Sequence, residues 1–110
     1  MSHVLFNRAL DSLDLSGNKL NLGGCKVICG MMKSNGTIKH LALANNNFQV
    51  ESLQAIAGML QVNRALTKIV WGEGTKIFTM DTSTEAIDFS GKGLKAHDAK
   101  IVASVLPKCT

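Results

Sequence analysis

The sequence predicts an α/β solenoid, an array of stacked strand–helix units, and two observations predict it. Asn7-Arg8-Ala9-Leu10 returns unchanged as Asn63-Arg64-Ala65-Leu66, and Asn35-Gly36-Thr37-Ile38 stands midway, 28 residues from each. The series Leu10, Leu13, Leu15, Asn18 and Leu20 then recurs 28 residues later as Ile38, Leu41, Leu43, Asn46 and Phe48. Periods in the twenties belong to arrays whose units bury one continuous core between neighbours.

Each unit opens on a strand around its leucines, with Leu13 and Leu15 of unit one matched by Leu41 and Leu43 of unit two. A helix follows in each. Gly24, Cys25, Ile28, Cys29 and Met32 align with Ser52, Leu53, Ile56, Ala57 and Leu60, and the i, i+3, i+4, i+7 spacing makes one buried stripe. Unit three continues the strand with Leu66, Ile69 and Trp71, but Gly74 and Lys76 replace the expected Asn and Leu, and the helix pattern stops. A fourth unit resumes with Thr84, Ile87, Phe89, Lys92 and Leu94, and its helix stripe reads Asp98, Ala99, Val102, Ala103 and Leu106. From Leu66 to Thr84 is only 18 residues. Unit three is therefore expected to lack its helix over about 72–85 and to carry an extended arm through Lys76-Ile77-Phe78-Thr79-Met80, whose composition favours strand.

The pattern L-x-x-L-x-L-x-x-N-x-L within this register resembles the leucine-rich repeat family, and the 28-residue period with a full helix resembles its ribonuclease-inhibitor-like subtype. The resemblance implies a right-handed βα superhelix, a short horseshoe with a parallel sheet on the concave side and helices on the convex side. It also implies that Asn18 and Asn46 form a hydrogen-bonded ladder between neighbouring turns. Gly74 and Lys92 cannot continue such a ladder in the same way.

The chain of 110 residues fits a single domain of about four units, 1–110, and both ends look like cut repeats. A segment of a longer solenoid, or a homodimer joined through open ends, is the expectation. There is no run of about 20 apolar residues to span a bilayer, and Met1 to Ser12 lacks a signal-peptide pattern. An intracellular, cytoplasmic protein without membrane attachment is expected. Asn35-Gly36-Thr37 matches a glycosylation acceptor, but these residues fill the repeat's loop.

Charge does not point to nucleic acid. The net charge is +4, yet the lysines are scattered through strands, helices and loops and no aromatic platform accompanies them. Cys25 and Cys29 occupy stripe positions and read as small core residues, which leaves Cys109 as the one thiol expected to react. His3, His40 and His97 lie far apart in the register, with no carboxylate and nucleophile to join them. Gly72-Glu73-Gly74 and Gly91-Lys92-Gly93 lack phosphate-loop spacing. No catalytic residue, metal or cofactor is expected.

What remains is a surface. Strand residues between the leucines face the concave side: Ser12, Asp14 and Ser16; His40, Ala42 and Ala44; Lys68, Val70 and Gly72; Ala86, Asp88 and Ser90. Asp14, His40, Lys68, Val70 and Asp88 are the candidate contacts for a protein partner. Trp71, Ile77, Phe78 and Met80 of the irregular arm are a second candidate, unless the arm simply covers its neighbours. A protein-binding module is the leading function, with part of a regulator of a small GTPase or other signalling enzyme, or a structural spacer, as alternatives. No Arg falls on the loops after the strands, through which the family's GTPase activators act.

Overall fold

The computed structural model describes residues 10–83 and 89–108. Strand β1 (Ser12–Asp14) leads into helix α1 (Asn21–Ser34), β2 (His40–Ala42) into α2 (Val50–Val62), and β3 (Lys68–Glu73) turns directly into β4 (Lys76–Asp81). Helix α3 (Ala96–Val105) and a short 3-10 turn (Leu106–Lys108) close the described chain. The four strands form one sheet in the order β1-β2-β3-β4, and the helices pack in sequence, α1 on α2 and α2 on α3.

The 28-residue period sets the register of both parallel pairs. Ser12 faces His40 and His40 faces Lys68, with Leu13, Leu41 and Ile69 in the next row. Leu41, Leu43, Ile69 and Trp71 are buried beneath the sheet against Cys25, Met32, Ile56 and Leu60 of the helices. Periodicity two along the strands and 3.6 along the helices thus meet in one core.

Asparagine forms the turns between these elements. Asn35 and Asn63 end α1 and α2 in extended backbone. Asn35 Oδ1 accepts the N–H groups of Thr37 and Ile38, and Asn63 Oδ1 those of Ala65 and Leu66, so each side chain folds the chain into the next strand. The Asn63 amide also donates to Met32 O at 2.5 Å and Asn35 O at 3.2 Å, tying two turns together. At the opposite edge Asn46, fully buried, donates to Leu15 O and Leu43 O and accepts from Asn18 N at 2.8 Å. Asn18 donates to Leu15 O but stands exposed.

Where Gly74 replaces asparagine, Glu73 takes over. Its carboxylate accepts Asn46 N and Asn47 N, each at 3.2 Å, while Gly74 N donates to Asn45 Oδ1. The row of bonds continues with a different residue type.

Three expectations are corrected here. The sheet is not parallel throughout, because β4 lies antiparallel to β3, with Glu73 facing Lys76 across the two-residue link Gly74-Thr75. A link this short can only form a hairpin, and glycine at its first position, φ +58°, suits it. Second, although no helix lies over 72–83, as expected, its absence leaves no gap, since α3 packs against α2 as extensively as α1 does on the other side. Third, the buried stripe of α3 is Asp98, Ile101, Ser104 and Val105, with Val102 half-buried, whereas Ala99, Ala103 and Leu106 are exposed. The aligned set was displaced by one residue.

The correct phase is marked by Lys108. Its ammonium donates to Leu60 O and to Asn63 O, the latter at 2.8 Å, as the Asn63 amide does to Met32 O and Asn35 O one turn earlier. Lys108 lies 45 residues beyond Asn63 instead of 28. The third strand–helix pair therefore carries an insertion of 17 residues, which includes β4. Desolvation, with Arg64 nearby, holds the Lys108 ammonium below its ordinary pKa.

Gly72 permits the hairpin. Its φ is +116°, and a Cβ there would stand 2.1 Å from the Lys76 carbonyl oxygen. Gly72→Ala is expected to destabilise the protein by at least about 2 kcal/mol, through strain and collision together. A fall in the urea midpoint with an unchanged slope would register this.

Candidate functional site

The sheet face turned away from the helices is the candidate site. Strand alternation places Ser12, His40, Lys68 and Asp81 in one row across all four strands, and Asp14, Ala42, Val70 and Thr79 in a second. Four of the expected contacts, Asp14, His40, Lys68 and Val70, share a shallow depression of about 150 Å³. Asp88 and Ala86 lie outside the described residues, Ser90 is exposed in a turn, and Ala44 is buried.

Asp81 was missed by sequence reasoning. Beyond the turn, Phe78 and Met80 point into the core, so Ile77, Thr79 and Asp81 take the outer face. The alternation in Lys76-Ile77-Phe78-Thr79-Met80-Asp81 carried that signal, but only the antiparallel pairing sets Asp81 opposite Lys68. Asp81 accepts hydrogen bonds from the Ser83 hydroxyl at 2.7 Å and N–H at 2.9 Å. These bonds, with the charge of Lys68 and His40 nearby, hold its carboxyl below the usual range. Asp14 is held low in the same direction by Ser16, whose N–H it accepts at 3.0 Å. Both carboxylates therefore stay ionised into mildly acid solution, and their negative charge is lost only as pH falls through the lowered values.

The arm is not a second contact surface as a whole. Trp71, Phe78 and Met80 are buried, and only Ile77, half-buried, reaches the outer face. The reason is geometric. Trp71 and Phe78 stack with ring centroids 5.3 Å apart, and Phe89 stands edge-on to both, at 6.5 Å and 5.6 Å. The Trp71 indole N–H donates to Asp98 Oδ1 at 3.0 Å, while Asp98 Oδ2 accepts Lys95 N at the start of α3. Asp98 thus stands in the stripe where α2 carries Leu53, and it joins the inserted hairpin to the helix layer.

Cys25 and Cys29 are buried one helical turn apart, Sγ to Sγ 3.8 Å, and Cys25 Sγ contacts Ser52 O. The Cys29 thiol is pushed up by its contact with Cys25 and then by burial, which suits a core role. Cys109 lies outside the described residues. Among the described residues no three His, Cys, Asp or Glu side chains converge as metal ligands, and no helix is long and apolar enough to cross a membrane. At the sheet edge, β1 has a neighbour on one side only among the described residues, and the helix layer beside it exposes Val27 and Met31.

Comparison with protein-family profiles, curated proteins and solved structures finds no match to this chain.

Proposed function

We propose that this chain is an intracellular protein-binding module of the leucine-rich-repeat type, and that its partner is another protein docking on the outer sheet face. The 28-residue register of the parallel strands and the buried Asn46 linking adjacent turns support the solenoid reading. One observation carries the binding reading: the outer face brings Asp14, His40, Lys68 and Val70 into a single depression beside Asp81. Charges of both signs around a small apolar centre offer electrostatic complementarity to a partner of matching pattern.

The test reverses the face without touching the core. Asp14→Lys combined with Lys68→Glu is expected to lower recovery of a captured partner at least about tenfold, since charge reversals add repulsion to the loss of attraction. Circular dichroism of the variant should match the parent. Recovery unchanged by the double reversal would reject the outer face as the binding surface.

A further inference from the structure

Four lysines that lie far apart in the sequence, Lys33, Lys39, Lys100 and Lys108, come together with Arg64 on one rim of the fold. Where the helices end, a groove of about 700 Å³ opens between α2 and α3, with Arg64, Lys100 and Lys108 on its walls. A second depression of about 320 Å³ lies between the ends of α1 and α2 and is lined by Lys33, Lys39 and Arg64. Arg64 belongs to both, so the two form one path lined, among the described residues, by five cations and no carboxylate. Asp11 lies beside Lys39 through a backbone hydrogen bond but lines neither depression.

We propose that this path binds an acidic peptide segment in extended form. The groove floor is made of small residues, Ala57, Gly58 and Ala103, which leave room for a chain to lie between the helices. Gln54 and Gln61 on the wall carry both donors and acceptors, the complement of a peptide backbone. Arg64 and Lys100 are exposed, so their charged ends stand open to a ligand in the groove. Lys108 is committed to Leu60 O and Asn63 O, so it contributes field while the other cations contribute contacts. A nucleic acid fits less well: no aromatic side chain lines either depression for stacking, and a duplex is too broad to enter a cleft between two helices. This site is on the helix side and is independent of the outer sheet face.

The test uses the whole chain and a fluorescently labelled peptide of alternating glutamate and alanine, with the glutamine-for-glutamate peptide as control. Binding of the glutamate peptide should shift backbone amide resonances in 57–64 and 100–106, and the control should not. Arg64→Glu with Lys100→Glu should weaken binding about tenfold, the sum expected of two exposed ion pairs reversed in sign. A duplex DNA and phosphatidylserine vesicles form the comparison arms. The proposal is overturned if the amides of 57–64 and 100–106 do not move, if the double reversal leaves affinity unchanged, or if DNA or vesicles bind there as tightly as the peptide.

Discussion

Trp71→Ala is expected to destabilise the protein by about 3–5 kcal/mol, the range for removing a large aromatic side chain from a core. Trp71 is fully buried between Phe78 and Phe89, so the substitution opens a cavity at the junction of the inserted hairpin and α3. It also removes the only indole in the chain and with it the donor to Asp98 Oδ1. Two contributions are then separable. Trp71→Phe keeps most of the packing but strips the N–H from a buried carboxylate, at about 1–3 kcal/mol. Asp98→Leu, which places in α3 the residue type that α2 has at Leu53, strands the indole N–H instead. The combined Trp71→Phe, Asp98→Leu variant should be less destabilised than the two single changes summed, as for groups in one buried pair. Urea denaturation of the four proteins measures this, and simple additivity would show that the bond does not couple hairpin to helix.

The second large effect is expected at Asn46. Asn46→Ala removes three donated bonds and two accepted bonds from a side chain with no exposure, leaving Leu15 O, Leu43 O, Ala44 O, Asn18 N and Leu20 N without that partner. Each stranded buried group costs about 1–3 kcal/mol, so a loss of about 2–4 kcal/mol is expected after partial rehydration. Asn18→Ala, one period earlier and exposed, should cost about 1 kcal/mol or less, because water replaces its bonds. Equal losses at the two positions, read from urea midpoints, would contradict the burial argument.

The contrast between these two asparagines shows how far the sequence could be read. Periodicity gave the strand order, the register and the stripes of α1 and α2, because each rests on residue identities repeated at a fixed interval. It could not reveal that Asn46 is sealed and Asn18 is not, since that depends on which neighbours lie on either side. The insertion defeated the same reasoning. Seventeen extra residues break the interval, so the stripe of α3 could be aligned only by resemblance, and a shift of one residue turns a helix by about 100°. Lys108 shows the phase only through its bonds to Leu60 O and Asn63 O.

The candidate site was legible in the same uneven way. Asp14, His40, Lys68 and Val70 follow from strand alternation alone and meet in one depression. Asp81 does not, because its place opposite Lys68 depends on the direction of β4. Composition marked 76–80 as strand, but strand propensity carries no information on pairing direction. Glu73 is a third case: a carboxylate replaces the ladder's asparagine one position early, a substitution of function that no repeat alignment displays. The basic path escaped notice because Lys33, Arg64 and Lys108 come from successive turns that adjoin only when the helices stack.

Site-specific photocross-linking tests whether a protein partner docks on the outer sheet face. A benzophenone side chain placed at Thr79, exposed between Ile77 and Asp81, should cross-link the captured partner, whereas the same group at Val27, exposed on α1, should not. Cross-linking from Val27 and none from Thr79 would contradict the claim.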